Sequence, residues 1–345
     1  MKVDHLLARM FQKNVTVKDF ISLKGDASSR RYHRVIFENG ITPQSLIVME
    51  LPADSLKSDE ITSGEQPKEL PFLNVGRFMA EAGLPTPKVL LDAVDDGALL
   101  LEDLGDETFA KRVHSSDETQ MEKWYCAAVD LMVQMHDVMW PIHVNCQAKK
   151  QTFDYNLLRW ELDHYREWGV EAAKEITLDK DLKMELDNAF DDLAKEIASF
   201  PQGFVHRDYQ SRNLMITGTE PTPKNLSIID FQDALAGPRI YDLVALLNDS
   251  YVDLTYDMQL KLIDRYAAGR NLDKKELYKE FNLITIQRKL KDAGRFVYID
   301  RVRGNPSFLP FVNKSFSRVK NALARLTDHN NLKTVLAKVD PAVFG

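Results

Sequence analysis

Apolar residues change their spacing near residue 105. Before it they fall in short runs, Phe20 to Leu23, Tyr32 to Phe37, Ser45 to Leu51, Lys88 to Val94 and Ala98 to Glu102, of the length and residue type that predict strands. Glu38-Asn39-Gly40 and Asp95-Asp96-Gly97 punctuate these runs with residues suited to hairpin turns, so residues 1–51 predict a meander and residues 88–102 a further hairpin. A polar stretch, Pro52 to Gln66, separates the two and leads into a helix predicted from about Pro67 to Ala82, stopped by Gly83 and Pro85.

Beyond Asp103-Leu104-Gly105 the apolar period is helical: Glu118 to Val138, Asp154 to Trp168, Leu182 to Ser199, Asp242 to Val252, Asp257 to Ala267, Lys274 to Tyr298 and Phe308 to Leu326. Two short apolar strands interrupt the series, Leu214 to Thr217 and Leu226 to Ile229. The pattern predicts an α+β chain with a small β-rich part over residues 1–103 and a large helical part over residues 104–345. The cleft between two such parts is a favoured place for a ligand.

Composition narrows the function classes. The 345 residues carry 45 Lys and Arg against 52 Asp and Glu, a net charge of −7, so no chain-wide positive field exists to attract nucleic acid or anionic lipid. Cys126 and Cys146 alone are too few for a disulfide framework, which fits a reducing compartment. Asp4, His5, Arg9 and Lys13 break the first residues before an apolar signal-peptide core can form, and no apolar run is long enough to span a bilayer. The expectation is a cytoplasmic protein with no membrane, nucleic-acid or obligate protein partner.

The densest polar signal is His206-Arg207-Asp208-Tyr209-Gln210-Ser211-Arg212-Asn213, followed by Ile228-Ile229-Asp230-Phe231. Phosphoryl transfer from a magnesium nucleotide asks for a carboxylate beside the acceptor hydroxyl and oxygen ligands for the metal, with little covalent chemistry from the protein. Asp208, Asn213 and Asp230 supply that set, and Asp230 stands seventeen positions past Asn213, enough for a strand, a turn and a returning strand. One amide oxygen and one carboxylate are a sensible protein contribution to magnesium, which usually keeps several waters.

The first string matches H-R-D-x-x-x-x-N, the catalytic loop of eukaryotic-type kinases, and Asp230-Phe231 stands where their D-F-G begins. Gln232 in place of the glycine is similar to the aminoglycoside-phosphotransferase-like small-molecule kinases. Within that branch the chain resembles the bacterial anomeric kinases of N-acetylmuramate and N-acetylglucosamine in three stretches. These are Gly25-Asp26-Ala27-Ser28-Ser29-Arg30-Arg31-Tyr32; Ile229 to Ala234 with Gly237 to Leu243; and Gln287-Arg288-Lys289-Leu290-Lys291 with Gly294-Arg295-Phe296.

The resemblance implies a two-lobed protein-kinase-like fold, with a nucleotide-binding lobe over 1–103 and a catalytic, substrate-binding lobe over 104–345. It implies ATP and Mg2+ as cofactors and a small-molecule sugar as acceptor, phosphorylated at its anomeric hydroxyl in the recycling of cell-wall sugar. It makes Asp208 the base, Asn213 and Asp230 the metal ligands, and Arg212 a cation for the migrating phosphoryl group, since the position two after Asp208 is Gln210 rather than a lysine. Arg212 against solvent or an acidic neighbour is an equal alternative. His206 is expected to brace the loop, and Asp242 to cap its helix or anchor the loop backbone.

Ala27, Ser28 and Ser29 fall where kinases place the loop over the nucleotide phosphates, although ordinary hairpins look the same. Leu99 to Leu104 resembles the strand whose backbone pairs with adenine, which brings in Glu102 and Leu104. The lysine expected on the third strand is missing; Met49 or Glu50 stands near its place, and Arg31, Arg30 or Arg34 is the candidate replacement. For the acceptor, three- and four-residue spacing would put Glu161, His164 and Trp168 on one helical face, with Gln232 and Asp233 as further candidates. An amphipathic helix with Trp160 and Trp168 as core explains the same spacing. The basic residues of Arg288 to Lys291 read as a solvated surface or a contact to an anionic substrate. Two alternatives remain open: a kinase of another hydroxyl (aminoglycoside, homoserine, choline or another sugar), or a nucleotide-binding pseudokinase or scaffold.

Overall fold

A computed structural model describes residues 3–23, 30–52 and 69–345. Helix α1 (Asp4–Phe11) precedes strands β1 (Val17–Leu23), β2 (Arg31–Phe37) and β3 (Ser45–Glu50); α2 (Pro71–Glu81), β4 (Val89–Ala93) and β5 (Ala98–Glu102) follow. The strands make one antiparallel sheet in the order β1-β2-β3-β5-β4. Because side chains alternate between faces, Val35, Phe37, Leu46, Val48 and Leu100 bury one face beneath Leu6 and Leu7 of α1. Tyr32, Ile47, Met49, Leu99 and Leu101 turn the other face into the main core.

Two details depart from the sequence reading. The first residues are not all strand: Leu6 and Leu7 make α1 a short lid on the sheet, too brief for its period to stand out. The link between β2 and β3 is a loop over 38–44 rather than a tight Asn-Gly hairpin, closed by Phe37 N donating to Gln44 O at 2.9 Å. Gly40 supplies its left-handed turn at φ +91°, and Pro43, having no N–H, cannot extend the ladder.

The larger lobe is mostly helical. It runs α3 (Phe109–His114), α4 (Glu118–Val138), α5 (Tyr155–His164), α6 (Lys180–Ala198), then β6 (Gln202–Val205), β7 (Leu214–Ile216), β8 (Leu226–Ile228) and β9 (Leu235–Pro238). Helices α7 (Tyr241–Leu247), α8 (Tyr256–Arg270), α9 (Lys274–Arg303), α10 (Pro310–Arg325), α11 (Asn330–Val339) and α12 (Pro341–Phe344) complete it. Strand β6 pairs with β9, and β7 with β8, both antiparallel. The chain therefore crosses from one small sheet to the other twice, at 206–213 and again at 229–234. The two polar strings of the sequence are those crossings, which sets them side by side.

Asp117, Asp154, Asp179, Thr255 and Asp273 accept from backbone N–H groups at the starts of α4, α5, α6, α8 and α9, so each of these helices begins on a side-chain cap. Helix α5 does not continue as a regular α-helix to Trp168. Residues Tyr165–Ala172 open into π-helical turns, where a Cβ on Gly169 would lie 2.5 Å from the Tyr165 ring and one on Gly294 of α9 would lie 2.8 Å from the Tyr165 Cα. Among the described residues, no helix is long and apolar enough to cross a membrane.

Candidate active site

Two buried carboxylates fix the 206–213 crossing. Asp242, at the start of α7, accepts from His206 N at 2.8 Å and from Arg207 N at 2.9 Å, while His136 of α4 donates to it at 3.0 Å. Asp249, in the turn after α7, accepts from Ser211 N at 2.8 Å and from the Ser211 hydroxyl. The loop is thus held on either side of Asp208, and Arg207 takes a left-handed φ of +78° between the clamps, a conformation that persists only when its surroundings over-determine it. His206 is a brace: Asp208 N donates to its Nδ1 at 3.3 Å and its Nε2 donates to Ile229 O at 3.1 Å, tying the two crossings together. Helix α7 ends at Leu247, short of the expected Val252, because Asn248, Asp249 and Ser250 leave the helix as buried polar anchors.

The second crossing brings Asp230 opposite. Asn213 Nδ2 donates to Asp208 O at 2.9 Å and to Asp230 Oδ2 at 3.2 Å, so one amide links the two acidic residues. Gln232 Nε2 donates to Asp230 Oδ1 at 2.8 Å and to Asp233 Oδ2 at 3.2 Å. Asp230 also has a left-handed φ, +65°, and the next residue, Phe231, stacks on Phe72 of α2 at 4.9 Å. A Cβ on Gly76 of α2 would come within 2.9 Å of the Phe231 ring, so a glycine there permits the lobes to meet at this point.

The two carboxylates sit in opposite fields. Burial raises the Asp208 pKa, but Arg288, Lys291 and Arg207 outweigh it and hold the carboxyl below its ordinary value. Burial and then the negative charge of Asp208 push Asp230 up, with Gln232 offsetting part of the rise. An ionised group with about a third of its side chain open to solvent thus faces one that gains from a nearby cation. Arg288 of α9 donates from Nη1 to Arg207 O at 2.8 Å and from Nη2 to Asp208 Oδ1 at 3.3 Å, with its guanidinium 5.0 Å from the Tyr241 ring centre. Among the described residues, no cluster of three or more His, Cys, Asp or Glu is placed to hold a metal. Asp230 and the Asn213 amide form a hard-oxygen pair suited to magnesium completed by non-protein oxygens.

The model of the phosphotransferase enzyme family matches residues 19–278, from β1 into α9. The chain belongs to that family. It is 29% identical over 330 residues to an N-acetylmuramate/N-acetylglucosamine kinase of Pseudomonas aeruginosa, covering 93% of this chain and 88% of that one. A protein of the same name from Neisseria meningitidis is 27% identical over 331 residues, covering 93% and 90%. A choline kinase from Cryptosporidium parvum shares the protein-kinase-like fold at 11% identity, with a TM-score of 0.59 over 94% of this chain and 92% of that one.

In this phosphotransferase the roof of the cleft differs from the sequence reading. Strand alternation puts Met49, not Glu50, on the cleft side of β3, at the place expected for lysine. Glu50 faces the other way, within 3.4 Å of His33, and Arg31 lies across from it in the register. Arg31 is therefore turned from the cleft, contrary to its expected part in nucleotide binding. Arg34 is bound by Asp103 at 2.7 Å and Asp106 at 2.7 Å. Arg30 hydrogen-bonds the Tyr32 hydroxyl, which burial and the nearby Asp230 shift upward while Arg30 pulls it down. Glu69 is paired with Arg77 at 2.7 Å. Glu102 pairs with Leu46 across the sheet and accepts from Lys88 N at 3.2 Å, and Leu104 lies just past the end of β5. Ala27, Ser28 and Ser29 lie outside the described residues.

The expected acceptor face does not form as one face. Glu161 is fully buried, with Oε1 accepting from Arg207 Nη2 at 3.1 Å and Oε2 from Gln287 Nε2 at 2.8 Å. It supports the 206–213 loop from beneath, and both of its oxygens are engaged. His164 and Trp168 instead pack with Trp160 and Tyr298, at ring distances of 5.0 to 6.3 Å. Gln232 and Asp233 remain beside Asp230. The Arg212 guanidinium stacks 3.6 Å from the Tyr251 ring centre, while Arg288 pairs with the Asp208 carboxylate. The sequence reading missed Arg288 as a site residue, and also Asp249, Glu161's supporting role and Gln287. The Gln287-Arg288 string carried the signal, but its basic residues were read as a solvated surface or a contact to an anionic substrate, whereas Arg288 and Lys289 are both buried.

Proposed function

We propose that the chain is an ATP- and magnesium-dependent kinase of the anomeric hydroxyl of an amino sugar, N-acetylmuramate or N-acetylglucosamine, acting in the cytoplasm to return recovered cell-wall sugar to synthesis. Two curated relatives, similar over most of both chains, are named N-acetylmuramate/N-acetylglucosamine kinase, which supports the amino sugar as acceptor. The observation that carries the reading is the Asn213 amide, which donates to the Asp208 carbonyl and to the Asp230 carboxylate and so ties the three residues of the two crossings together.

Asp208 orients the acceptor hydroxyl and takes its proton as the oxygen bonds to the γ-phosphorus and the bond to the β-phosphate breaks. Its depressed pKa keeps it ionised, and Arg288 holds both its carboxylate and the carbonyl behind it. Asp230 and Asn213 would hold magnesium, which would offset charge on the phosphates. An anomeric hydroxyl is more acidic than an ordinary alcohol, so positioning and charge offset do most of the work. Residues 1–103 form the nucleotide-binding lobe, with the backbone of Glu102 to Leu104 facing adenine, and residues 104–345 form the catalytic and acceptor-binding lobe. Arg30, hydrogen-bonded to the Tyr32 hydroxyl, is the cation that stands in for the third-strand lysine, and Gln232 and Asp233 flank the acceptor.

Met49 in the lysine's place favours a second reading, a nucleotide-binding protein without turnover. Asp208→Asn decides between them: sugar-dependent ATP consumption should fall on the order of 10²-fold or more, with nucleotide affinity near that of the parent. Turnover that survives the substitution overturns the assignment, and a parent that binds ATP but consumes none supports the second reading.

A further inference from the structure

We propose that the cavity between α3 and the 206–213 loop is a subsite for a carboxylate carried by the acceptor, so that this enzyme selects the anionic sugar over its neutral parent. The inference rests on the amino-sugar kinase reading above. The cavity, about 880 Å³, is lined by Thr108, Ala110, Lys111, His114, Ser115, Arg212, Tyr251 and Phe311. Among the described residues that line it none is acidic, while Lys111 and Arg212 are cations. In a chain of net charge −7, such a wall is a local reversal that favours an anion.

The cavity is built onto the reacting loop. Ala110 N donates to Ser211 O at 2.9 Å and Ile216 N to Glu107 O at 2.8 Å, which fixes α3 against the loop that carries Asp208. Asp249, which clamps Ser211, also accepts from Tyr251 N at 2.8 Å, so one carboxylate sets both the loop and the ring on which Arg212 lies. Phe311 packs edge-on against Tyr251 at 5.2 Å from the other side. Arg212 is therefore preorganised: its plane rests on an aromatic face and its charge borders the cavity. Lys111, whose Nζ donates to Asp106 O at 2.7 Å, is the second cation. This gives Arg212 a place in acceptor selection rather than on the migrating phosphoryl group.

N-acetylmuramate and N-acetylglucosamine share a ring and an anomeric hydroxyl and differ by an ether-linked carboxylate, so they are a matched pair of probes. The test is kcat/KM for both sugars, at saturating ATP, in the parent, Lys111→Met and Arg212→Met, with KM for ATP measured beside it. The expected result is a fall in the N-acetylmuramate to N-acetylglucosamine ratio of roughly tenfold for Arg212→Met, the scale of one charge-assisted hydrogen bond, and of a few-fold for Lys111→Met. The loss should appear mainly in KM for N-acetylmuramate. An unchanged ratio overturns the proposal, as does a rise in KM for ATP shared by both sugars, which would assign the cations to the nucleotide. A parent that phosphorylates neither sugar would instead remove the reading on which the proposal rests.

Discussion

The floor and the roof of the cleft are built from different materials. The floor, around 206–213, is a network of buried charges: Asp242 and Asp249 clamp the loop backbone, Glu161 and Gln287 support Arg207, and Arg288 closes on Asp208. The roof is a five-stranded sheet whose cleft side is mainly apolar, and several of its ion pairs lie toward solvent, such as Arg9 with Asp96 at 2.5 Å. Buried polar groups are costly to leave unpaired, so a network of paired buried charges narrows the geometry its members can take. A sheet held by apolar contacts fixes the lobe without fixing individual charges. Positional accuracy is thus concentrated around Asp208, and in the function proposed above the roof covers the nucleotide.

The largest effect should come from the floor. Asp242→Ala removes the acceptor for two loop amides and for His136, stranding buried donors at a cost on the order of 3 kcal/mol. Chemical denaturation should register that loss, together with loss of turnover. If the protein kept its stability and its activity, the claim that buried charge holds the loop would be wrong.

Arg288→Met sharpens the contrast by changing a field rather than a clamp. Arg288 heads the cations that depress the Asp208 pKa against burial, so removing it lets that pKa rise. If Asp208 is the base proposed above it must be ionised to act, so the acid limb of kcat/KM against pH should move to higher pH, with lower activity below neutrality and partial recovery above it. A profile scaled down equally at every pH would show that Arg288 acts only through the Arg207 carbonyl it also binds.

Arg9→Ala is the matched change in the roof. Its partner and itself are each substantially exposed, so solvent and salt screen the pair, and stability should change by about 1 kcal/mol or less with no effect on turnover. A larger loss would mean that α1 contributes more to the roof than its packing of Leu6 and Leu7 on the sheet.

What the sequence displayed follows the same division. The meander, the β4 and β5 hairpin, most long helices and the residues of both crossings were legible, because period-two and period-3.6 patterns and short polar strings are local. Placing Met49 rather than Glu50 in the cleft required the register of β3, which one-residue alternation decides and composition does not. The floor was the least legible part. All ten residues from Phe281 to Leu290 of α9 are buried, including Gln287, Arg288 and Lys289. A buried charged helix face resembles a solvated one until its partners are known, and those partners, Glu161 and Asp208, lie 126 and 80 residues away in sequence. Glu161 was set with His164 and Trp168 by helical spacing, yet it points at Arg207, and beyond His164 the helix opens into π-helical turns.

Phosphorus NMR of the product, after incubating the protein with Mg2+, ATP and either amino sugar, tests the central claim most directly. The account predicts a new phosphate monoester coupled to the anomeric proton, formed by the parent and nearly lost in Asp208→Asn. A monoester coupled instead to the methylene protons of the sugar, or equal product from both proteins, would contradict it.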